Sequence, residues 1–521
     1  MNFTKKATAL LLALLLLCAV PVSSLALTPA SVEDLLTFVP VGSVGSASYH
    51  YEISGNTITD SIDLVIPSTY EGYKVTAIRK DAFKSCGYIT SLTVPATVTS
   101  IKSGAFEGCL NLKTVTFEGA NLTLSANVFK GCSGLESVTL PSALVTVPDS
   151  CFEGCVSLRT CPLPATVTAI GIKAFSNCTA LTSVSIGPDL TEIGDEAFAA
   201  CASVTAYTVD SANPNYKSEN GILLSSDGTE LIYYPGGRTI VDYTVPEGVT
   251  VIKKMAFAKS KYLMNINFAS TVKTVEEYAF SEASELRSVN FNKGLTTIGE
   301  MAFQRCTSLN TVTIPSTVET FDSAFFASGV KTVILEEGIT TVCEKAFDSC
   351  TQLSAVTLPA SLTTIELGAF NNCPLLTFLT LGPNVANIDD KAFNGDDNLV
   401  LNVSFDTPAY AYAVKNNIPF STVDESHVAL TNTVSELRWE SSAAFSAQPQ
   451  SAKVIWTSSN PAAVTVDENG NIKAVGKGSA VIRAALQEDE TVYDEVTVTV
   501  TFTFWQRIVY FFRNLFSFLK K

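Results

Sequence analysis

Cysteine is the residue type with the most chemical potential in this chain of 521 residues, which contains 13 cysteines. Nine of them follow a phenylalanine by three positions: Cys86, Cys109, Cys132, Cys155, Cys178, Cys201, Cys306, Cys350 and Cys373. Regularly spaced cysteines in a secreted protein can form disulfides, and neighbouring strands about 4.8 Å apart would permit them. Ser260, Ala283, Ser328 and Asp396, however, occupy the same slot in other copies. We therefore interpret the slot as one for a small buried side chain, with the thiol acting as a small hydrophobe.

Catalytic and metal-binding chemistry has little support in the sequence. The two histidines, His50 and His427, lie outside the repeated core, and no Cys-x2-Cys pair lies beside a histidine to complete a zinc site. His-Glu-x-x-His, Gly-x-Ser-x-Gly and phosphate-loop motifs are absent. The acidic pairs at positions 389–390 and 396–397 fall in expected turns, where hydration accounts for them. The sequence predicts no enzymatic activity, no metal and no cofactor.

The elements that hold these cysteines are set by a phenylalanine that recurs every 23 residues. Two steps are 22 residues and one is much longer, and the series is Phe83, Phe106, Phe129, Phe152, Phe175, Phe198, Phe257, Phe280, Phe303, Phe325, Phe347, Phe370 and Phe393. A fixed period of this length is typical of a leucine-rich-repeat solenoid, in which stacked units share one core. Such a solenoid displays a long surface instead of enclosing a catalytic pocket.

Each repeat carries the pattern apolar-x-x-apolar-x-apolar, as in the segment from Leu112 to Phe117. Alternation along the strand places Val115 toward the core and Thr114 and Thr116 toward solvent. A second apolar pair and an Ala-Phe step complete the unit. We predict a mainly β solenoid of about 13 repeats with a period of 23.

The run from Leu181 to Cys201 resembles the repeat of the BspA-like leucine-rich-repeat family of bacterial and protist surface proteins. The resemblance covers about residues 48–421 and implies a solenoid domain over that range. Residues 49–67 are similar to an N-terminal cap, and residues 407–420 are similar to a helical C-terminal cap. The resemblance also implies contacts with host proteins or with other cells.

The interval from Phe198 to Phe257 spans 59 residues, 36 more than one period. Turn signals between apolar runs predict a β-hairpin insertion at about residues 202–246. Its tyrosines could form a contact surface on the solenoid. Alternatively, the segment is a longer variant repeat of the kind that this family often carries. We favour the variant repeat, because insertions in repeat proteins need not bind anything.

The outward strand positions are rich in serine and threonine and carry few charges. The β-propensity of threonine accounts for this composition, which is also compatible with protein binding. Candidate contact residues for a host or cell-surface protein lie on this face and in the insertion: Lys113, Thr114, Thr116, Glu136, Thr139, Asn310, Thr313, Tyr216, Tyr233 and Tyr234.

The segment after the repeats, from Trp456 to Ile482, resembles a bacterial immunoglobulin-like group 2 domain. Short alternating runs joined by Asn469-Gly470 fit a β-sandwich, which we place at residues 427–502. The segment lacks the paired cysteines of antibody domains. Its core is therefore predicted to depend on packing around Trp456.

Residues 1–26 have the features of a secretory signal peptide. Lys5 and Lys6 precede an apolar run, and a small-x-small cleavage site ends at Ala26. We therefore predict that the protein is exported and located at the cell surface or outside the cell.

Residues 503–521 form an aromatic and basic tail that is amphipathic when drawn as a helix. About sixteen helical residues reach roughly 24 Å, which is short of the ~30 Å needed to span a bilayer. A helix lying in a membrane interface fits better, while docking onto the protein itself or onto a partner remains the alternative. The candidate membrane contacts are Trp505, Arg507, Ile508, Phe512, Arg513, Leu515, Phe516 and Leu519.

The formal net charge of −16 argues against nucleic acid as a partner, because nucleic-acid binding requires clustered basic residues. We predict an exported, non-catalytic cell-surface binding or adhesion protein that uses its solenoid for protein–protein contact. The alternative is a structural envelope or spacer protein anchored by its C-terminal tail.

Overall fold

A computed structural model of the protein describes residues 31–405, 407–422, 428–448, 453–487, 489–503 and 506–510. The chain is mainly β and consists of a solenoid of about 16 turns with a period near 23, followed by an immunoglobulin-like region. The predicted fold class is confirmed. The phenylalanine series counts fewer turns because turns near the ends and in the insertion stack without that residue. The predicted signal peptide at residues 1–26 lies outside the described residues.

The chain divides into two compact units, residues 1–175 with 192–197, and residues 176–191 with 198–521. The first unit starts with a 3-10 helix, Val32–Leu35, in which the Ser31 hydroxyl accepts a hydrogen bond from the Asp34 amide. An antiparallel hairpin then covers the exposed end of the first solenoid sheet. The strands of this sheet are Leu36–Val41, His50–Asn56, Thr69–Tyr70, Tyr73–Ile78, Ser100–Ile101 and Thr123–Leu124.

Two rows of parallel strands run along the first unit, and most repeats contribute one strand to each row. Thr160 makes only an isolated bridge with Ser137. The long-strand row carries the apolar-x-x-apolar-x-apolar pattern and consists of Ile62–Val65, Ile89–Val94, Thr114–Phe117 and Ser137–Val138. The short-strand row carries the second apolar pair and continues with Thr146–Val147, Ala169–Ile170 and Glu192–Ile193. Identical positions of successive repeats pair, as Val115 does with Leu92, because the period sets the register.

The recurring phenylalanines form a stacked column in the core of each unit. In the first unit the rings of Phe83, Phe106 and Phe129 lie nearly parallel, with centroids 4.9 and 5.7 Å apart. In the second unit Phe257, Phe280 and Phe303 stack at 4.6 and 4.8 Å. These rings are almost fully buried. Stacking in register therefore supplies the shared core that no single repeat could bury alone.

The corner that carries the Ala-Phe step has a left-handed residue on each side. Around Phe347 these are Lys345 and Ser349, with φ of 51° and 60°. The Phe347 amide donates to the carbonyl of Ala369 in the next turn at 2.9 Å. The left-handed residues turn the chain twice within a few positions, so the corner amides align with the carbonyls of the following turn.

The second unit contains the insertion, which forms a three-stranded meander. Tyr216–Glu219, Ile222–Ser225 and Glu230–Tyr233 pair antiparallel in sequence order. Glu230–Tyr233 then pairs parallel with Val251–Ile252 and so becomes a member of the short-strand row. The predicted hairpin is present, and it belongs to a longer variant turn that remains within the solenoid.

The remaining strands of the second unit continue both rows. The long strands are Ser183–Ile186, Ala206–Val209, Asp242–Thr244, Asn265–Asn267, Ser288–Asn290, Thr311–Ile314, Thr332–Leu335, Ala355–Thr357, Phe378–Thr380, Val400–Val403 and Phe420–Thr422. The short strands are Thr274–Val275, Thr297–Ile298, Thr341–Val342, Thr364–Ile365 and Asn387–Ile388. The helix Pro408–Lys415, N-capped by the Thr407 hydroxyl, packs Ala409, Tyr412 and Ala413 against the last turns as the expected C-terminal cap.

The immunoglobulin-like region consists of small sheets around its own core. One sheet contains Glu436–Arg438, Tyr493–Thr501, Ser479–Leu486 and Val454–Ser458. A second sheet contains Ser442–Ala444, Asn471–Ala474 and Val464–Val466. A third pairs Ala429–Thr431 with Ser446–Gln448. The predicted turn at Asn469-Gly470 is present, with Gly470 at a φ of 80°. The prediction that Trp456 centres the core is wrong. Trp439 is 4% exposed and lies in the core, whereas Trp456 packs against it only partly buried.

Candidate functional site

The cysteine slot is a buried column in which at least six of the nine thiols donate a hydrogen bond to a carbonyl of the preceding turn. The Cys109 and Cys132 sulfurs donate to the carbonyls of Phe83 and Phe106 in the preceding turns at 3.2 and 3.1 Å. The same bond recurs at Cys155, Cys306, Cys350 and Cys373. The slot therefore favours a small donor as well as a small volume, although Ala283 shows that the donor is not essential. The volume argument from the sequence alone does not reveal this hydrogen bond.

Burial keeps these thiols protonated. It raises the pKa of Cys201 and Cys350 to about 12, and it raises the pKa of Cys161, which lies outside the slot, to about 12 as well. Because the thiolate is the form that attacks disulfides and binds metals, these cysteines are unreactive in the folded protein. In the described chain, which contains twelve of the 13 cysteines, no disulfide is present.

Asp396 occupies the cysteine slot of the last phenylalanine repeat and is 7% exposed. Its Oδ1 accepts a hydrogen bond from the Cys373 amide, and its Oδ2 is buried with no partner among the described residues. Burial raises the pKa of Asp396 to about 7, and the Asp397 carboxylate adds to the rise. A protonated Oδ2 would give the slot a donor again, as the thiol does in other repeats.

One group of side chains in the described part of the chain brings three possible metal ligands together. The ligand atoms of Asp322, Cys343 and Glu366 lie within 4.8 Å of one another. Burial and the two carboxylates raise the pKa of Cys343 to about 12. A protonated thiol is a poor ligand, and a structural zinc site needs four ligands. The group is better explained as a polar patch at a solenoid corner.

The outward face of the long-strand row in the first unit holds five of the predicted contact residues. Lys113, Thr114, Thr116, Glu136 and Thr139 are exposed. Thr114 pairs with Ser137 across neighbouring strands, so these side chains form one continuous polar surface. The face is accessible and evenly spaced, as the alternation pattern predicts.

In the second unit the same face carries Asn310, which is exposed, and Thr313, which is half-buried. Side chains of adjacent turns are joined there by hydrogen bonds. Asn265 Nδ2 donates to Asp242 Oδ1, and Ser288 Oγ donates to Asn265 Oδ1, each at 2.6 Å. The bonds hold these polar groups in fixed positions at the surface.

The prediction that Tyr233 and Tyr234 lie on a contact surface is wrong. They are 4% and 3% exposed, and Tyr234 stacks on Phe257 with centroids 4.8 Å apart. Tyr234 precedes Phe257 by 23 residues, so it replaces phenylalanine in the column of a turn that the Ala-Phe pattern does not reveal. Tyr216 remains half-buried at the edge of the meander.

Only part of the predicted membrane-contact tail is described. Arg507 is exposed and Ile508 is half-buried, whereas Trp505, Phe512, Arg513, Leu515, Phe516 and Leu519 lie outside the described residues. Tyr510 packs edge-on against Trp439, with ring centroids 5.4 Å apart, and its hydroxyl accepts from the Lys477 amide. Gln506 donates to the Trp439 carbonyl. The beginning of the tail thus contacts the immunoglobulin-like region.

No helix in the portion of the chain that the structure covers has the length and apolar character to cross a membrane. The membrane interaction of the tail remains a prediction.

The stacked turns and the following sandwich define a leucine-rich-repeat solenoid joined to an immunoglobulin-like domain. The family model of the BspA-type leucine-rich-repeat region matches residues 76–210, 236–328, 284–402 and 322–438. The chain belongs to this family, as the sequence resemblance indicates. The model of the bacterial immunoglobulin-like domain of group 2 matches residues 418–500.

Two solved structures are similar to this chain over most of their length. The pneumococcal vaccine antigen PcpA is 20% identical with a TM-score of 0.58, and the match covers 75% of this chain and 96% of PcpA. A leucine-rich cell surface protein from Faecalibacterium prausnitzii is 28% identical with a TM-score of 0.50, covering 68% of this chain and 92% of that protein. The first similarity supports the fold alone. No curated protein sequence matches this chain.

Proposed function

We propose that the chain is an exported, non-catalytic protein of the cell surface that binds other proteins through the long-strand row of its solenoid. The observation that carries the proposal is the exposed polar face formed by Lys113, Thr114, Thr116, Glu136 and Thr139. Its side chains point to solvent from strands in strict register, so a partner can contact several turns at once.

The similarity to the Faecalibacterium prausnitzii cell surface protein supports the surface location. The buried, protonated cysteines and the lack of an acid–base pair in the sequence support a role without catalysis. Function in this protein therefore resides in its surfaces.

The test is binding of the labelled full chain to host epithelial cells and to immobilised extracellular-matrix proteins. Lys113→Glu reverses one charge on the long-strand row, and Lys102→Glu makes the same change beside the short-strand row as a matched control. We expect the first variant to weaken binding severalfold and the second to leave it unchanged. If both variants and the wild type bind every partner with equal affinity, the long-strand row is excluded as the binding face. If the wild-type chain binds none of them, the alternative role as a structural envelope or spacer protein is favoured.

A further inference from the structure

A cleft of about 560 Å³ opens in the second unit where the variant turn meets the regular repeats. Its lining includes Thr179 and Ser203 from the chain before the insertion, and Lys259, Lys261, Glu282 and Ser284 from the chain after it. The sequence spacing across the cleft is large, and the cleft forms only when the insertion is packed into the solenoid.

The turn at Gly236-Gly237 connects these two parts of the lining, because the Lys261 amide donates to the Gly236 carbonyl at 2.9 Å. Its Gly236 and Gly237 stand two and three positions after Tyr234, where the next repeat has Lys259 and Ser260. The Gly237 amide donates to Val204, and a Cβ on Gly237 would lie 2.6 Å from the Ser203 carbonyl oxygen. This turn is packed too closely for a side chain at Gly237, so these two positions contribute none to fill the cleft.

Two lysine ammonium groups are held at the cleft. Lys259 Nζ donates to Asn177 Oδ1 at 3.1 Å, and Lys261 Nζ donates to Ser203 Oγ at 3.0 Å. Both bonds use neutral acceptors. Glu282 lies 3.9 Å from the Lys259 ammonium, and within the described chain no carboxylate forms an ion pair with Lys261. In a protein of net charge −16, this is a local positive site that favours an anionic ligand.

The single carboxylate narrows the chemistry of the ligand. Glu282 would repel a simple anion, but it can accept hydrogen bonds from hydroxyl groups. The hydroxyls of Ser203 and Ser284 can donate and accept. A ligand that combines a carboxylate with several hydroxyls satisfies both kinds of group. The cleft is wide open to solvent, so it suits the terminal residue of a larger glycan.

We propose that this cleft binds a carboxylated sugar, such as the acidic terminal residue of a surface glycan. The ligand carboxylate pairs with Lys261 and Lys259, and ring hydroxyls contact Glu282 and the serines. The proposal rests on the proposed surface-binding function and assigns it a second kind of ligand.

The experiment measures binding of N-acetylneuraminic acid and glucuronic acid to the full chain by saturation-transfer NMR and titration calorimetry, with glucose as the neutral comparison. We expect at least one sugar acid to bind and glucose to bind at least tenfold more weakly. Lys261→Gln should lower the affinity about tenfold or more, as expected for one charge-assisted hydrogen bond. Lys293→Gln, at an exposed position outside the cleft, is the matched control and should have no effect.

Glu282→Gln separates a sugar acid from other anions. A bound sugar acid should lose affinity in this variant because an acceptor for its hydroxyls is weakened, whereas sulfate or an oligo-aspartate peptide should bind equally well or more tightly. Binding of the peptide or of sulfate without binding of either sugar acid would overturn the ligand class. If neither sugar acid binds while the chain still binds cells through the long-strand row, the cleft proposal fails and the proposed function stands.

Discussion

At the scale of single residues, the phenylalanine column is the main source of cohesion between repeats. Phe280 is fully buried between Phe257 and Phe303. Phe280→Ala should lower the free energy of unfolding by about 3–5 kcal/mol, the usual cost of truncating a core aromatic. Chemical denaturation measures the loss. Phe280→Leu keeps most of the volume and should cost clearly less, and equal losses in the two variants would contradict the stacking model.

Asp396 makes the stability of the last repeat depend on pH. Its pKa is about 7 in the folded chain, raised mainly by burial, and about 3.9 when unfolded. Between these two pKa values the folded state therefore holds a proton that the unfolded state has lost. The free energy of unfolding falls as the pH rises from about 4 to about 7, by at most about 1.4 kcal/mol per pH unit, and it levels off above pH 7.

Asp396→Cys restores the usual residue of the slot and should remove this pH dependence in thermal unfolding and hydrogen exchange of the last turns. Asp397→Asn should retain most of it, because burial is the larger cause of the shift. A wild-type protein whose last turns are equally stable at pH 5 and pH 7.5 would show that the Asp396 carboxyl is not buried as a neutral acid.

At the scale of elements, the corners depend on left-handed residues that are mostly not glycine. Ala327 has a φ of 53°, a conformation that costs an L-residue about 1 kcal/mol relative to glycine. Ala327→Gly should stabilise the protein by up to about 1 kcal/mol. Ala355→Gly, within the strand Ala355–Thr357, should instead destabilise it by roughly 0.5–1 kcal/mol. Thermal melts of the pair measure both effects, and a shift in the same direction for both would contradict the assigned corner geometry.

The thiol column is another element whose behaviour can be measured. The described cysteines are buried except for the half-buried Cys161. We expect a thiol-specific reagent to modify almost none of them in the native protein and to modify all of them after unfolding without reductant. Cysteines that stay unreactive after unfolding until a reductant is added would reveal disulfides and would contradict the interpretation of the slot.

At the scale of the whole molecule, the predicted role of the C-terminal tail in attachment to the cell can be tested by fractionation. We expect the full chain to fractionate with the membrane or wall and a chain that lacks residues 503–521 to be released. Tyr510→Ala in the full chain removes the contacts of Tyr510 with Trp439, Phe502 and the Lys477 amide and leaves the sequence after it unchanged. If the truncated chain is released but Tyr510→Ala stays attached, anchoring belongs to the tail beyond Tyr510. If all forms are released, docking onto the protein itself or onto a partner is left as the role of the tail.

Much of the fold could be predicted because its determinants are local and repeated. The alternation in Leu112–Phe117 sets which side chains face solvent, and the constant spacing of phenylalanine sets the register between turns. The contact face on the long-strand row follows from the same pattern. The sites that were mispredicted or missed depend on neighbours from other segments. Tyr233 and Tyr234 are buried by the turns that stack on them, and Trp439 is buried by residues 36 to 71 positions away.

The sequence by itself determined the solenoid, its period and the identity of its outward positions, because a side chain repeated at constant spacing can be buried only by stacking in register. The tertiary structure alone decided that the insertion is a variant turn with Tyr234 in the aromatic column. It also decided that Lys259 and Lys261 face a common cleft beside a turn made of glycine. Such features arise from contacts between segments that are 58 or 82 residues apart, where no local spacing constrains which side chains meet.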